Sequence, residues 1–494
     1  MRRFRRGCPQ GWNWLMMGWR CPFKLGDGSL NPDLRNRLEQ SRQGETLKRW
    51  EGLSEGDKKG LENQLLGIDF AQAFGLFLGQ GNAAGAPPLN ALKAPTIQTG
   101  PAQEKFLNMG VKALRTGEVA VMVVAGGQAT RLGTTKPKGI WPITPVRNHS
   151  LFHLHAEKVL ALSQRHGKAI PLLIMTSPST HDESLAHFEE NHFFGLAPGQ
   201  ARFFQQGIMP AMDLNTGQLL FEQPHRVFTA PDGHGGSLAA LKASGLAQEL
   251  WRQGIRHLFY FQVDNPLVRI ADPVFLGQHL DANAEISCKV IEKTRPGEKI
   301  GIFAEVAGKC HLIEYSDLPG DLAEKRTPDG KLLVRAGNPA IHLFNLEFLL
   351  QILEQGSALP FHVARKKVSH VNLQGEWIVP QSENALKFER FIFDLFLSAS
   401  RWLLVETARE EEFAPLKNAE GEDSPETARA AQNRLFHTWL TRAGAKVANF
   451  DPSRGSPDLE ICPFFALDEK ELADHLPKGI SLTAPALIDK KTVR

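Results

Sequence analysis

A glycine-rich stretch that carries three cations offers the first chemistry in this sequence. It reads AGGQATRLGTTKPKG, from Ala125 to Gly139, and it overlaps the end of the apolar run Val119–Ala125. Glycines let backbone N–H groups approach a phosphate because no Cβ stands in the way, and Arg131 and Lys138 supply positive charge to neutralise it. The stretch matches neither the Walker A pattern nor the G-x-G-x-x-G dinucleotide pattern. It therefore predicts a phosphate-binding loop of another kind, with an ordinary turn bearing surface cations as the alternative.

A carboxylate stands at the end of a second apolar run. Asp264 directly follows His257–Val263, whose sequence HLFYFQV is typical of a strand buried on both faces. An unpaired carboxylate at such a position is costly, and a hard cation that bridges phosphates would remove that cost. Mg²⁺ prefers oxygen ligands and is often held by one or two carboxylates together with substrate oxygens. We therefore expect Asp264 to bind Mg²⁺, and its alternative role is to cap a turn.

The elements around these two features decide whether they meet. Strand-like runs at Val119–Ala125, Ile170–Thr176 and His257–Val263 alternate with helical patterns such as Ser150–His166. This alternation predicts an α/β fold in which right-handed β-α-β units build a mostly parallel sheet. Ligands of such sheets bind at the carboxyl ends of the strands, where both the glycine-rich loop and Asp264 would lie.

The other patterns predict the surrounding helices and strands. Residues 31–79 have helical spacing, with Ser54 and Asp57 as an N-cap signal, and the Gly- and Pro-rich residues 79–101 read as a linker. Closely spaced strands after residue 285 predict an antiparallel insertion. Thr180 with Glu183 predicts a capping box at the start of a helix.

An apolar pattern near the end of the central region predicts one more helix. The stretch Glu383–Leu397 reads as a strongly apolar amphipathic helix, interrupted by Lys387. Beyond residue 401 the composition becomes more charged. We expect four parts: a disordered extension at 1–30, a helical region with its linker at 31–100, a central domain at 101–405 and a C-terminal module at 406–494.

The distribution of charge argues against nucleic acid as a partner. The 494 residues carry 57 Lys plus Arg and 54 Asp plus Glu, a formal net charge of +3. The first twenty residues hold five arginines and no acid, so the remainder sums to −2 and lacks the basic surface that non-specific nucleic-acid binding needs. A disordered arm is the simpler interpretation of this start, and contact with RNA or a membrane is the alternative.

Cysteine usage and hydropathy indicate the compartment. The five cysteines are scattered and form no C-x-x-C pair, which favours reduced thiols in a cytoplasmic protein. No apolar stretch approaches the roughly 18 residues that a membrane helix needs. We therefore expect a cytoplasmic globular protein without a membrane partner.

A series of strings resembles one enzyme family. GGQATRLG followed by PKG resembles the signature of nucleotide-sugar pyrophosphorylases, and further strings follow in order: FFQQGIMPAM, APDGHGG, VDNPLVRIADP, IEYSD, AGNPAIHLF, LKFERFIFDLF and REEEFAPLKNA. Together, from about Leu34 to at least Arg429, they are similar to the eukaryotic-type UDP-N-acetylhexosamine pyrophosphorylases. The resemblance implies a Rossmann-like nucleotide-diphospho-sugar transferase fold with a mixed, mostly parallel central sheet. It also implies that UTP and N-acetylglucosamine 1-phosphate give UDP-N-acetylglucosamine and pyrophosphate, by direct in-line attack with Mg²⁺.

The resemblance also implies a role for each matching residue. The roles are nucleotide binding by Ala125, Gly126, Gly127, Gln206 and Gly233, catalysis by Arg131, Lys138 and Lys417, sugar binding by His234, Glu314 and Asn338, phosphate binding by Lys387 and Lys417, and metal binding by Asp264. A glutamine offers a donor and an acceptor that match the imide edge of uracil.

The sugar and the oligomeric state stay open. His234 replaces an asparagine that is common in the hexosamine enzymes, and a PDGHG string also occurs in UDP-glucose and broad-specificity UDP-sugar pyrophosphorylases. A UDP-glucose, UDP-galactose or broad-specificity enzyme is therefore the alternative, and an inactive UDP-sugar-binding protein is the second alternative. The chain is expected to be a monomer or a homodimer.

Overall fold

The fold is taken from a computed structural model of the chain, which describes residues 29–79, 92–100, 103–315, 317–355 and 359–493. The predicted extension at 1–30 therefore lies almost wholly outside the described residues, as does much of the predicted linker at 79–101.

Helices and strands alternate along most of the described chain. The α-helices are α1 Pro32–Gln40, α2 Gly44–Glu51, α3 Glu55–Leu66, α4 Phe70–Phe77, α5 Glu104–Thr116, α6 Leu151–His166, α7 His181–Glu190, α8 Gly236–Ala243, α9 Leu246–Arg252, α10 Pro273–Asp281, α11 Gly320–Glu324, α12 Leu346–Glu354, α13 Arg409–Glu412, α14 Pro425–Arg442 and α15 Glu469–His475. The strands are β1 Val119–Val124, β2 Leu172–Thr176, β3 Ala201–Gln205, β4 Ile208–Pro210, β5 Met212–Asp213, β6 Phe221–Gln223, β7 Arg226–Val227, β8 Thr229–Pro231, β9 His257–Gln262, β10 Ile286–Glu292, β11 Ile302–Val306, β12 Lys309–Ile313, β13 Ala336–Gly337, β14 His342–Asn345, β15 Phe361–Lys366, β16 His370–Val371, β17 Trp377–Ile378, β18 Ala385–Arg390, β19 Trp402–Glu406, β20 Lys446–Ala448, β21 Leu459–Ile461, β22 Ser481–Thr483 and β23 Ala486–Ile488.

One large sheet organises the centre of the described chain. Its strand order is β12-β11-β13-β10-β14-β9-β1-β2-β3, and β19 pairs with β10. Strands β3, β2, β1 and β9 are parallel, β10, β11 and β19 point the same way, and β12, β13 and β14 point the opposite way. The predicted α/β fold with a mixed, mostly parallel sheet is confirmed, and so is the antiparallel insertion after residue 285.

The central strands are buried on both faces because helices cover each side. In β1, Val119, Val121 and Val123 pack in the same apolar cluster as α5, α6 and α10. Ala120 and Met122 point the other way and join the cluster that contains α8, α9 and α12. This double burial accounts for the continuous apolar run in the sequence and leaves the polar groups at the strand ends.

The first four helices pack on a smaller sheet of β15, β18 and β5. The predicted helical region at 31–79 is confirmed, and Ser54 Oγ accepts a hydrogen bond from Asp57 N at the start of α3. Further along, Lys93 N donates to Glu305 O and Gln98 N to Leu404 O. The described residues 92–100 of the predicted linker therefore lie along edges of the central sheet.

The predicted helix at Glu383–Leu397 is wrong. This stretch forms strand β18, which pairs with β15 and β5, and then a 3₁₀ helix at Ile392–Leu397. Leu386 and Phe388 enter the cluster under the N-terminal helices, whereas Lys387 lies on the other face of the strand. The apolar residues of β18 alternate with a period of two, but together with the dense run of aromatic residues they also match a helical pattern.

The predicted capping box at Thr180 is also wrong. Thr180 precedes α7, but its side chain caps no helical N–H. Thr180 Oγ1 instead accepts a hydrogen bond from Ser177 N at 3.0 Å and lies 3.0 Å from Ser177 Oγ. The hydroxyl therefore closes the turn that precedes the helix.

The last part of the described chain has its own apolar cluster, formed by α14, α15 and β20–β23 together with Leu267. Arg147 connects it to the centre, because its guanidinium bonds Glu157 on α6 and Glu460 on β21. The four-part division given above stays a prediction. Among the described residues, no helix is both long and apolar enough to cross a membrane.

Candidate active site

The glycine-rich loop folds back on itself after β1. Ala129 N donates to Lys136 O, and Lys138 N donates to Gly127 O at 3.1 Å. The loop therefore returns Lys138 to the glycines at the strand end. Ala125 and Gly126 are buried, whereas Gly127 is exposed and faces open space, so its backbone is free to approach a ligand. Ala129 has a φ of −86°, which an alanine adopts without strain.

Lys138 and Asp264 meet although 126 residues separate them in the chain. The distance from Lys138 Nζ to Asp264 Oδ2 is 3.2 Å. The two residues meet because β1 and β9 are adjacent and parallel, so both strands end at the same edge. No hydrogen bond to Asp264 Oδ1 is recorded among the described residues, so one carboxylate oxygen is left to bind a cation.

A third segment brings Lys417 and Asp423 to the same place. Leu416 N donates to Asp264 O at 2.8 Å, and Lys417 N donates to Asp423 O at 2.7 Å. Lys417 Nζ lies 3.7 Å from Asp423 Oδ2. Burial raises the pKa of Asp423, the positive charge of Lys417 opposes this, and the charge of Asp264 adds to it. Asp423 therefore belongs to the same charged cluster as Asp264, and no sequence motif had indicated it.

We call the loop 125–139 together with Asp264, Lys417 and Asp423 the phosphate edge. A cavity of about 1080 Å³ opens beside it, and Arg131 and Lys417 both line this cavity. Arg131 is exposed and joins none of the described ion pairs, so its charge is available to an anion. The cavity lining also includes Lys299, a cation that the sequence patterns did not indicate.

A second group, which we call the base pocket, consists of Gly126, Gln206, Asp232 and Gly233. Gln206 is buried, and a Cβ built on Gly126 would lie 2.6 Å from its Nε2. Gly233 has a φ of +84°, and a Cβ there would lie 2.4 Å from Arg390 O. Only glycine satisfies both conditions at residue 233. Asp232 N donates to Gly207 O, which places the glutamine and the glycine side by side.

Asp232 is a buried carboxyl that the sequence patterns did not indicate. Its Oδ2 lies 3.8 Å from Arg390 Nη1, and its Oδ1 has no hydrogen-bond partner among the described residues. Burial raises the pKa of Asp232 to about 6, and the charge of Arg390 opposes this shift. The base pocket therefore holds a carboxyl that titrates near neutral pH.

His234 packs beside the base pocket. Its Nδ1 accepts a hydrogen bond from Ile392 N at 3.2 Å, and its ring stacks on Phe391 with 5.3 Å between the centroids. Burial and, to a smaller extent, the charge of His362 together lower the pKa of His234 to about 4. The ring is therefore neutral at pH 7, with Nε2–H left as a donor.

Glu314 and Asn338 occupy the ends of neighbouring segments of the insertion. Burial raises the pKa of Glu314, Asp317 adds to the shift, and His362 and Lys417 oppose it, so its carboxyl lies in the field of Lys417. Asn338 Oδ1 accepts a hydrogen bond from Ala340 N at 2.8 Å, which leaves the amide Nδ2 to donate elsewhere. A carboxylate and an amide donor suit the hydroxyl groups and the acetyl carbonyl of an N-acetylated sugar.

Lys387 is placed by β18, not by the predicted helix. Its ammonium lies 5.0 Å from the centroid of the Phe228 ring, and burial lowers its pKa. None of the described contacts joins Lys387 to Lys138, Asp264 or Lys417, so its phosphate-binding role stays a prediction.

One further group of side chains has the composition of a metal site. His149, His153 and Glu157 bring three ligand atoms within 4.8 Å of one another. The two imidazole rings, however, stack face to face, with 3.6 Å between centroids and 9° between planes, so their in-plane lone pairs do not converge. Both oxygens of Glu157 also accept hydrogen bonds from Arg147. The arrangement fits an ion-pair network, whereas Asp264 fits a cation site.

Comparison with known proteins identifies the family of this chain. Residues 91–427 match the sequence profile described as UTP–glucose-1-phosphate uridylyltransferase. The UDP-N-acetylglucosamine pyrophosphorylase of Saccharomyces cerevisiae is 38% identical over 354 residues, which cover 70% of this chain and 74% of that protein. UDP-N-acetylglucosamine diphosphorylase 2 of Arabidopsis thaliana is 34% identical over 481 residues, which cover 92% of this chain and 93% of that protein.

A solved structure is similar over nearly the whole chain. The uridine diphosphate N-acetylglucosamine pyrophosphorylase from Trypanosoma brucei, in complex with an inhibitor, matches with a TM-score of 0.75 and 27% sequence identity, covering 93% of this chain and 99% of that one. The profile match spans well over half of the 494 residues, and it includes the loop, Asp264 and Lys417. The relatives that the chain resembles over most of its length include UDP-N-acetylglucosamine pyrophosphorylases, and the chain belongs to the UTP–glucose-1-phosphate uridylyltransferase family.

Proposed function

We propose that the protein is a uridylyltransferase that makes UDP-N-acetylglucosamine and pyrophosphate from UTP and N-acetylglucosamine 1-phosphate. The observation that carries the proposal is the convergence of Lys138, Asp264 and Lys417 from three distant parts of the chain. The names of the relatives support the same reaction.

The reaction needs no covalent enzyme intermediate. An oxygen of the sugar phosphate attacks the α-phosphorus of UTP, and the bond to pyrophosphate breaks. Catalysis then consists of alignment and charge neutralisation. Arg131, Lys138 and Lys417 offset the charge of the leaving pyrophosphate, while Gln206 and Gly233 hold the uridine.

Mg²⁺ fits this site as a cofactor. Asp264 would hold it through Oδ1, and Asp423 is the second carboxylate of the same cluster. Carboxylate oxygens are the ligands that Mg²⁺ prefers, and its charge would neutralise part of the triphosphate when bound.

The second candidate function is a broader UDP-sugar pyrophosphorylase, and His234 favours it. The Nδ1 of His234 is already occupied by Ile392 N, so only one donor faces outward, where an asparagine would offer a donor and an acceptor. Glu314 and Asn338 support the N-acetylated sugar as the preferred substrate.

Pyrophosphorolysis separates these functions. We would incubate the protein with pyrophosphate, Mg²⁺ and each of UDP-N-acetylglucosamine, UDP-N-acetylgalactosamine, UDP-glucose and UDP-galactose, and measure UTP. We expect the highest rate with UDP-N-acetylglucosamine. A higher rate with UDP-glucose would favour the second candidate, and no UTP from any of the four would refute both.

A pair of lysine variants provides the matched control. Lys138→Ala is expected to lose turnover, whereas Lys168→Ala should keep it, because Lys168 is exposed and precedes the amino end of β2, away from the phosphate edge. Equal rates for the two variants would contradict the assignment of the phosphate edge.

We also propose that the protein is cytoplasmic, is a monomer or a homodimer, and has as partners UTP, N-acetylglucosamine 1-phosphate, UDP-N-acetylglucosamine and pyrophosphate. The described cysteines Cys288, Cys310 and Cys462 are unpaired, which suits a reducing compartment. Light scattering after size exclusion measures the oligomeric state.

A further inference from the structure

One buried side-chain amide, that of Asn265, joins the turn after β9 to residues 412–417, which we call the Lys417 segment. Asn265 is 3% exposed, its Nδ2 donates to Glu412 O at 2.7 Å, and its Oδ1 accepts from Ala414 N at 3.2 Å. Further along the same segment, Leu416 N donates a hydrogen bond to Asp264 O. The side chain of Asn265, the residue next to Asp264, therefore ties Glu412 and Ala414 to the turn after β9.

The far end of this segment is anchored in the core. The carboxylate of Glu412 is buried, pairs with Lys289 of β10, and accepts a hydrogen bond from Thr407 Oγ1 at 2.9 Å. Lys289 in turn lies 2.8 Å from Asp272 Oδ2 at the start of α10. Because both charges are buried and pair with each other, residue 412 has a fixed position relative to the sheet.

The turn after β9 is also held by side chains of α6. His155 of α6 donates through Nε2 to Val263 O at 2.9 Å, because a carbonyl oxygen can only accept. Burial lowers the pKa of His155 to about 3, so the ring stays neutral. Lys158 donates to Pro266 O at 2.7 Å and to Val268 O at 2.9 Å. The turn that carries Asp264 is therefore rigid, and residues 413–417 are attached to it.

We infer that Asn265 is a positioning residue that holds Lys417 at a fixed distance from the Asp264 carboxylate. Glu412 fixes where the segment begins, and Asn265 fixes its path to Lys417. Without the amide, residues 412–417 keep their backbone bonds to Arg409 O, Asp264 O and Asp423 O but lose both side-chain bonds to Asn265. The path of the chain from Glu412 to Lys417 is then less constrained, and Lys417 is held less firmly beside the triphosphate. The inference rests on the proposed function, because it takes Asp264 and Lys417 as parts of one phosphate site.

The chain supplies a closely matched control for Asn265. Asn433 is 2% exposed, its Nδ2 donates to Gly455 O at 2.8 Å, and its Oδ1 accepts from Leu459 N at 2.9 Å. Both asparagines are buried and both join backbone segments, but Asn433 does so among residues of the last apolar cluster. Asn265→Ala and Asn433→Ala remove the same groups, so they separate a positioning effect from a loss of stability.

Hydrogen exchange tests the positioning without any ligand. In Asn265→Ala, the amides of Leu416 and Lys417 should exchange about tenfold faster, because the segment loses the two side-chain hydrogen bonds that restrict its local opening. In Asn433→Ala they should keep their protection. Unchanged protection in Asn265→Ala, or equal loss in both variants, would overturn the inference whether or not the proposed function holds.

Calorimetric titration with UTP, with and without Mg²⁺, tests the consequence. We expect Asn265→Ala to weaken UTP binding about tenfold and Asn433→Ala less than twofold. In a protein that already carries Lys417→Ala, Asn265→Ala should not weaken UTP binding further, because Asn265 acts through that lysine. Wild-type affinity in Asn265→Ala, or effects that multiply in the double variant, would overturn the inference, whereas absence of UTP binding to the wild type would refute the proposed function alone.

A second variant covers the case in which Asn265→Ala does not fold. Asn265→Leu fills nearly the same volume and removes the amide, so it keeps the packing of the turn. The same exchange and titration criteria apply to it, with Asn433→Leu as its control.

Discussion

The phosphate edge and the base pocket are built by different means. At the phosphate edge, charged side chains from three segments meet in ion pairs, around a loop whose Gly127 faces open space. In the base pocket, glycines let one backbone segment pack directly on another, and a Cβ on Gly233 would overlap Arg390 O. We therefore expect charge to determine turnover at the phosphate edge and shape to determine nucleotide binding in the base pocket. Variants that remove charge should affect turnover, and variants that add a methyl group should affect nucleotide binding.

The largest expected effect is that of Asp264→Asn. The variant keeps the size of the side chain but removes the charge that pairs with Lys138 and would hold a cation. We expect turnover to fall on the order of 10³-fold, while affinity for uridine changes less than about threefold. Steady-state kinetics and uridine titration measure the two quantities. Unchanged turnover would show that the phosphate edge does not depend on this charge.

Gly233→Ala should have the next largest effect, in the base pocket. The methyl group would meet Arg390 O, and the φ of +84° is unfavourable for alanine, which together cost about 2–4 kcal/mol. We expect affinity for UMP to fall about a hundredfold, measured by calorimetry. Gly60→Ala is the control, because Gly60 lies in α3 with no atom within 4 Å of the added Cβ. Equal UMP affinities for the two variants would contradict the steric account of the pocket.

The smallest expected effect concerns the pH dependence of stability. Because the pKa of Asp232 rises from 3.8 to about 6 on folding, the folded protein binds more protons than the unfolded chain between these values. The stabilisation that Asp232 contributes is therefore fully present below pH 4 and is lost as the pH rises through 6. The free energy of unfolding should fall by up to about 2 kcal/mol over this range, with solvent screening taken into account.

Urea unfolding of the wild type and Asp232→Asn across pH 4 to 7 measures this contribution. The wild type should lose stability relative to the variant as the pH rises. A constant difference between the two curves would show that the carboxyl does not titrate in the base pocket as described.

Local patterns were sufficient to predict that the glycine-rich loop and Asp264 lie at one edge of the sheet. Val119–Val124 and His257–Gln262 are buried on both faces, so each reads as an unbroken apolar run with polar residues at its end. Adjacent parallel strands end together, and the loop and Asp264 could therefore be placed at one edge before any coordinates were known. Residues that depend on a strand end are predictable in this way.

Other parts of the site depend on contacts that no local pattern encodes. Asn265 bonds a backbone oxygen 147 residues away, Asp423 lies in no motif, and the motif that contains Asp232 assigns no role to this carboxyl. The sequence of strand β18 also predicts a helix because Phe388, Ile392 and Leu395 follow a helical spacing, and pairing with β15 decides between the two. The position of Lys387 follows from that pairing, so its surroundings could not be derived from the helical pattern.

Arg147 has a consequence for how the chain responds to being cut. Its guanidinium pairs with Glu157 on one side and with Glu460 on the other, and Leu267 joins the last apolar cluster. Residues 451–454 are exposed, so a protease can reach them. Cleavage there would break the backbone and leave these contacts in place. The product would be a nicked molecule whose two fragments stay together in native buffer and separate only on denaturation.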